Sequence, residues 1–365
     1  MSAPGPVEVV VSGIGVVTSV GRDAATACAS VRAGIERPAG VEDLLTTDPD
    51  EHQSVPAVGH PVRPITDGFV SVARWLQLAP LAVRDLVTPA ALPPPADGAF
   101  WRRTGLVALL ADLREGRWDH DPLVRSDGLG AAVFPPLRRA LGQTAVAGER
   151  LLHGRTALFR LLAGAGAAFA ALDADRLVVV AVDSLLDEAS LLWLAGSERL
   201  RTAADGDGLS PGEGAVALLL ETRRAAAHRG ATPLAEVVGA AAHPPPAELN
   251  IAALGRALAT VLTPSLRERP DVLRLDMNGE PWRAKAYGHA FARLPADDRP
   301  LPSWSTHATS VGDLGAAAPA FDVALAARAV ADGRSAATGV AACEGTGAAG
   351  ACTLSRSPLP LPRGR

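Results

Sequence analysis

The chain has 365 residues, of which 48% are hydrophobic and 4% aromatic, and its formal net charge at pH 7 is −4. This length exceeds a typical single domain and predicts one large two-lobed unit or two fused halves. Few aromatic residues and a negative net charge exclude nucleic acid and anionic membrane surfaces as expected partners. Cys28, Cys343 and Cys352 follow no metal-ligand or disulfide spacing, so we expect no metal, no cofactor and a reducing, cytoplasmic location.

The first predicted elements are a buried strand and a helix. The nearly continuous β-branched run over residues 7–17 predicts a strand that is buried on both faces. Asp23 then stands where it can cap a helix with apolar residues at helical spacing. The string "TACAS" in this helix looks like a nucleophile motif, but Cys28 lies about five residues beyond the cap. We therefore interpret Cys28 as a core residue.

Strands and helices continue to alternate along the chain, which predicts a layered α/β fold. Residues 36–64 and 88–98 are predicted as connections, and residues 357–365 as a flexible tail. The other predicted elements are helices over residues 69–87, 154–172, 187–196, 250–262 and 313–333, strands over residues 104–112, 176–184 and 271–279, a strand-to-helix segment over residues 212–230, and a hairpin over residues 335–354.

Three segments resemble the β-ketoacyl synthases of the thiolase superfamily, which condense acyl chains in fatty-acid and polyketide assembly. They are "VVVSGIGVVTSVGRD", the glycine-glutamate segment "GDGLSPGEGAVALLLETRRAAAHRGATPLAEVVG" and "SVGDLGAAAPAFDVALAARAV". The resemblance touches both halves of the chain and implies a thiolase-like fold. That fold has two related α/β halves, here residues 1–225 and 226–356, with central mixed sheets in a layered α-β-α-β-α arrangement.

The family's chemistry requires a cysteine thiolate at the N-terminus of a buried helix, and two histidines. By the family's spacing, Arg155 stands at the thiol position, Asn278 at the first histidine position and Asp313 at the second. The resemblance thus implies that all three catalytic groups are replaced. From the residues alone, Arg155 is either a surface or partner-facing arginine or a ligand for phosphate or carboxylate. Asn278 suits a strand-to-turn transition, and Asp313 a helix N-cap.

Four further residues are candidates for binding a ligand in the same cleft. His153 and Thr156 flank the thiol position, but no motif supplies the activating base that a nucleophile would need there. His307 shortly precedes the second histidine position, and Glu213 lies between glycines at the start of a strand, where a structural role is the alternative. The polar and aromatic segment 278–290 either lines a pocket or interface, or is a plain loop.

Three functions remain open from the sequence. The first is a ketosynthase-like protein without condensing activity, acting as a dimer partner or accessory subunit in fatty-acid or polyketide-type biosynthesis. It would form a homodimer, or a heterodimer with an active ketosynthase, and an acyl carrier protein is a further possible partner. The second is an acyltransferase or decarboxylase of altered chemistry acting on acyl thioesters. The third is a binder of acyl groups or other small ligands.

Overall fold

The computed structural model describes residues 7–47, 53–119, 121–126, 128–143, 146–295 and 300–357. Of the predicted tail, residues 358–365 lie outside this part of the chain. The strands are β1 (Val9–Thr18), β2 (Ala39–Thr47), β3 (Ser54–Gly59), β4 (Thr104–Leu110), β5 (Glu149–His153), β6 (Arg176–Ser184), β7 (Glu213–Thr222), β8 (Ala235–His243), β9 (Val272–Leu275), β10 (Ser303–Ser305), β11 (Ala337–Cys343) and β12 (Ala349–Ser355). The helices are α1 (Ala24–Arg32), α2 (Val72–Val87), α3 (Gly98–Trp101), α4 (Pro122–Arg125), α5 (Leu129–Ala140), α6 (Ala157–Ala163), α7 (Ala165–Ala171), α8 (Glu188–Gly196), α9 (Arg223–His228), α10 (Ile251–Arg267), α11 (Pro281–Phe291), α12 (Ala308–Val311) and α13 (Ala318–Ala331).

Ten of the strands form one mixed sheet in the order β10-β9-β11-β12-β8-β1-β7-β6-β4-β5. Each half of the chain contributes five strands to this sheet. If the five strands of each half are numbered along the chain, their order from the sheet edge to the centre is third, second, fourth, fifth, first in both halves. The two sets join through β1 and β8, which pair antiparallel from Val9↔Val237 to Val11↔Ala235. The chain therefore repeats one topology. The predicted boundary between residues 225 and 226 lies within α9 and stays a prediction.

Helices cover the sheet in three layers. Buried residues of α1, α6, α7 and α13 pack between the two halves of the sheet and contact strands of both. The helices α2 and α5 cover the outer face of the first half, and α10 and α11 cover the outer face of the second. This arrangement confirms the predicted α-β-α-β-α layering. Nearly every residue of the central strands β1, β6 and β7 is buried. Such strands are covered on both faces, so the sheet needs helices on both sides.

The strand β1 lies unusually close to α2. A Cβ atom at Gly15 would lie 2.0 Å from the carbonyl oxygen of Ala82, and one at Gly13 would lie 2.8 Å from Cδ1 of Leu86. Glycines in a buried strand often mark such a close backbone approach. The sequence predicts this strand correctly, and the structure supplies the reason for its glycines.

Several predicted elements differ from the structure. The stretch 36–64, predicted as a connection, contains the β2–β3 hairpin. The helix predicted over residues 154–172 is divided at Gly164 into α6 and α7. The polar segment 278–290 is largely the helix α11, which Pro281 begins and in which buried residues recur at helical spacing. The sequence does not show this spacing as an apolar pattern, because an arginine and a tyrosine occupy buried positions of the helix.

Within the described residues, no helix is long and apolar enough to cross a membrane. The same part of the chain contains no group of three or more histidine, cysteine, aspartate or glutamate side chains placed to hold a metal ion.

Candidate functional site

The three positions singled out in the sequence meet in one buried cluster. Arg155, just before α6, forms an ion pair with Asp313, and its side chain is 10% exposed. The side-chain amide of Asn278 donates to Asp313 at 2.5 Å and to Glu280 at 2.8 Å. Arg155 is therefore not a surface residue. Asp313 does not cap the long helix either, because α13 begins five residues later and the Asp313 carboxylate accepts from Gly315 N at 2.8 Å.

A second set of charges surrounds this cluster. Arg283 forms ion pairs with Asp276 and, at 3.3 Å, with Glu280. Arg199 donates from Nε to Glu280 at 2.6 Å, and the hydroxyl of Tyr287 donates to Asp276 at 2.7 Å. Each carboxylate is thus shared between two or more donors. The helix α11 supplies Arg283 and Tyr287 from its buried face.

Two carboxylates of this network, those of Glu280 and Asp313, are ionised although they are buried. Burial favours the neutral form of Glu280, but Arg283 and Arg199 outweigh it and lower its pKa to about 2. Burial also favours the neutral form of Asp313, but Arg155 and Arg283 outweigh it and hold the pKa of Asp313 below its usual value. The cluster is therefore a set of full charges that neutralise one another.

Glu344 belongs to the same site and was not predicted. Its Oε1 atom accepts from the backbone N–H and the hydroxyl of Thr156, each at 2.7 Å. Gly154 adopts φ +92, and a Cβ atom there would lie 2.7 Å from the same oxygen, so this glycine leaves space for the carboxylate. A single acid in the turn "CEGTG" of the β11–β12 hairpin is the sequence signal that could have found it.

Five residues of the site, Arg155, Arg199, Arg283, Asp313 and Glu344, border a cavity of about 220 Å³. One wall is apolar, and Trp193 in it lies 4.8 Å from the guanidinium of Arg199, measured to the ring centroid. The rest of the lining is mostly charged. The lining residues are Ala111, Asp112, Glu115, Arg117, Arg155, Asp183, Leu185, Trp193, Leu194, Arg199, Arg283, Asp313, Gly315, Ala316, Glu344, Gly345 and Thr346.

Of the sequence candidates, only Arg155 and Asp313 line this cavity; Thr156 and Asn278 lie behind them, and the other three make contacts of their own. His153 Nδ1 is 3.1 Å from the carbonyl oxygen of Ala111. His307 is buried, with Nδ1 2.9 Å from a carboxylate oxygen of Asp322. Glu213 is fully buried and accepts hydrogen bonds from four groups, so its contacts support the structural alternative. The four donors are Val62 N, Thr66 Oγ1, Arg74 Nη1 and Ser184 Oγ.

All three cysteines of the chain are free and buried. Burial raises the pKa of Cys28 to about 11 and that of Cys352 to about 12. Burial and the nearby Asp276 carboxylate also raise the pKa of Cys343. Each is therefore a neutral thiol at pH 7, and Cys28 packs in the core within α1, as predicted.

No protein-family model matches this chain, and no curated protein matches it either. Three solved structures are similar to it over nearly its whole length. An oxazolomycin ketosynthase domain of Streptomyces albus has 18% identity and a TM-score of 0.70, over 97% of this chain and 76% of that one. The ishigamide ketosynthase/chain length factor has 17% identity and a TM-score of 0.68, over 96% and 99%. A type II polyketide ketosynthase in complex with its acyl-carrier protein has 15% identity and a TM-score of 0.66, again over 96% and 99%. The chain thus has the thiolase-like fold of ketosynthases.

Proposed function

We propose that this chain is a ketosynthase-fold protein without condensing activity, and that it acts as the non-catalytic member of a dimer in polyketide-type or fatty-acid-type biosynthesis. One observation carries the proposal. Where the family's spacing puts the Cys-His-His groups, this chain has Arg155, Asn278 and Asp313, bound to one another in a buried, charge-balanced cluster.

Neither the cluster nor the cysteines offer a nucleophile for acyl transfer. Nearby carboxylates, Asp313 above all, outweigh burial and raise the pKa of Arg155, so this guanidinium keeps its proton and cannot attack a thioester. The backbone N–H of Thr156 at the start of α6 already donates to Glu344, so it is not free to bind an oxyanion. Three buried, neutral thiols add no alternative. They also support a reducing, cytoplasmic location.

The expected partner is a second ketosynthase-type subunit. Two of the similar structures are described as a ketosynthase/chain length factor and as a ketosynthase with its acyl-carrier protein. A chain with this fold and without the thiol would contribute surface to such an assembly while the partner performs the chemistry. An acyl carrier protein would then be bound by the assembly.

Acyl loading tests the loss of activity. The purified chain is incubated with acyl-CoA and acyl-loaded carrier protein, and intact-protein mass spectrometry records any added acyl group, with an intact ketosynthase as the positive control. We expect no mass increase on this chain. A covalent acyl adduct on any side chain would sink the proposal, and turnover of malonyl thioesters without an adduct would favour the acyltransferase or decarboxylase alternative.

Co-expression tests the partner role. The chain is produced with a ketosynthase encoded beside it that has its cysteine and both histidines, and the complex is isolated through a tag on one subunit. We expect a stoichiometric complex whose condensing activity is lost when the partner's cysteine is replaced. Failure to co-purify with any such ketosynthase, together with a strictly monomeric chain, would count against a subunit role.

A further inference from the structure

The cavity beside Arg155 has the size and wall chemistry of a small-molecule site. Its volume of about 220 Å³ lies below the roughly 300–1,000 Å³ of pockets for drug-sized ligands, so its occupant would be small. Leu185, Leu194 and Trp193 form an apolar wall that can pack against a short hydrocarbon group. The remaining walls carry both signs of charge.

The acidic side of the cavity has carboxylates that lack full compensation. Glu344 accepts from the backbone N–H and hydroxyl of Thr156 and the hydroxyl of Thr346, and within the described residues it has no ion-pair partner. Glu115 bonds Arg117 Nε at 2.7 Å through Oε2 alone. Burial, which Arg117 does not offset, raises the pKa of Glu115. A cation beside them would give Glu344 an ion-pair partner and would stabilise the ionised form of Glu115.

The basic side of the cavity has guanidinium groups that still lack acceptors. Arg199 uses Nε for Glu280, and in the part of the chain that the structure describes its two Nη groups have no hydrogen-bond partner. The side chain of Arg155 is nine-tenths buried, and its Nη1 atom has no hydrogen bond in the described part of the chain, although Asp276 Oδ2 lies 3.8 Å away. A carboxylate is the acceptor that matches such planar donors.

A ligand of one sign alone does not suit this lining. Four arginines and five acidic residues line the cavity, so a simple anion meets the carboxylates and a simple cation meets the guanidiniums. The opposite charges lie close together, since Arg199 is near enough to Glu115 to stabilise its negative charge. A molecule that carries both charges a few ångströms apart matches both sides.

We propose that this cavity binds a small zwitterion of the α-amino-acid type with an apolar side chain. Its ammonium group faces Glu115 and Glu344, its carboxylate faces Arg199, and its side chain packs against Leu185 and Leu194. The inference goes beyond the proposed function, because binding does not require a partner or an acyl group. It adds a ligand to a chain whose site has no nucleophile.

Calorimetric titration of the purified full chain tests the proposal with three matched probes. They are L-leucine, 4-methylpentanoate, which lacks the ammonium group, and 3-methylbutylamine, which lacks the carboxylate. We expect leucine to bind at least about tenfold more tightly than either analogue, because each analogue leaves one charged side of the cavity unmatched. No heat from all three at millimolar concentration, or equal affinity for leucine and one analogue, overturns the proposal.

Two variants assign the two ends of the ligand. Glu115→Gln should weaken leucine about tenfold and leave 4-methylpentanoate unchanged, whereas Arg199→Lys, which keeps a cation beside Glu280, should weaken leucine and leave 3-methylbutylamine unchanged. The exposed Glu36→Gln variant is the control and should bind all three probes like the wild type. Thermal unfolding verifies that each variant is folded. If neither variant changes leucine affinity, binding lies elsewhere and the proposal fails, whatever the acyl-loading result.

Discussion

Arg155 and Asp313 illustrate how a buried ion pair depends on both partners. Removing one charge leaves the other buried without compensation, which typically costs about 3–5 kcal/mol. We therefore expect Asp313→Ala to lower the free energy of unfolding by about that amount. The double variant Arg155→Met/Asp313→Leu should lose less than the sum of its single changes, because it removes both charges. Urea unfolding measures Asp313→Ala, the double variant and its two single changes, Arg155→Met and Asp313→Leu.

The control for this cycle is an exposed ion pair. Arg63 and Asp67 lie 3.6 Å apart with both side chains about half exposed. Asp67→Ala should therefore cost less than about 1 kcal/mol. Equal losses for Asp67→Ala and Asp313→Ala would contradict the role assigned to the buried cluster.

Glu280 gives the cluster a pH dependence. Its pKa falls from an ordinary value of 4.5 to about 2 on folding, so it stabilises the fold above pH 4.5 and this contribution is lost as the pH falls towards 2. The shift corresponds to about 3 kcal/mol at neutral pH. The difference in unfolding free energy between wild type and Glu280→Gln should thus be largest above pH 5 and shrink below pH 4. A difference that stays constant from pH 6 to pH 3 would refute this assignment.

Single residues also show where sequence reasoning ends. The family's spacing picked Arg155, Asn278 and Asp313, and these three residues lie together in the structure. Their partners could not be inferred, because a pairing such as that of Arg155 with Asp313 spans 158 positions. The local pattern therefore favoured a surface arginine and a helix cap. Glu344 was missed for the same reason, since its bond to Thr156 spans 188 positions.

At the scale of elements, the sequence predicts strands and helices correctly where apolar burial or a helix cap determines the local pattern. The strand β1 is buried throughout and was predicted correctly, as was α1 with Asp23 at its N-cap. The helix α11 was missed because Arg283 and Tyr287 occupy its buried face, where their polar atoms bond Asp276. A helix is recognised in a sequence by apolar residues at helical spacing, and this pattern is absent where the buried face carries charged and polar side chains.

The contact between β1 and α2 predicts opposite effects for two glycine replacements. In Gly15→Ala, the new Cβ atom would lie 2.0 Å from a backbone oxygen of α2, so strand and helix must move apart. We expect a loss of about 2–3 kcal/mol in unfolding free energy. Gly288→Ala is the matched control, because Gly288 is exposed within α11 and a Cβ there meets no atom within 4 Å. That variant should gain up to about 1 kcal/mol from helix propensity, and a stable Gly15→Ala variant would contradict the close approach.

At the scale of the whole molecule, the ten-stranded sheet has two edges of different character. One edge strand, β10, has three residues and follows Pro300 and Pro302, which is how proteins protect an edge from pairing. The other, β5, has five residues without proline, and its Leu151 and Leu152 are half-buried. An unprotected edge of this kind favours pairing with another chain. The dimer that we propose would therefore continue the sheet at β5.

Leu151→Pro tests this interface with little damage to the sheet itself. Gly148 accepts from Leu106 N and Gly154 donates to Leu110 O, so the even-numbered residues of β5 direct their backbone groups towards β4. Leu151 is odd-numbered, and its N–H therefore faces away from β4. Proline there removes an outward donor while the hydrogen bonds to β4 remain. We expect the variant to sediment as a monomer where the wild type is a dimer. Trp304→Ala removes the exposed tryptophan of the β10 edge and should stay dimeric. A dimeric Leu151→Pro variant, or a monomeric Trp304→Ala variant, would place the interface elsewhere.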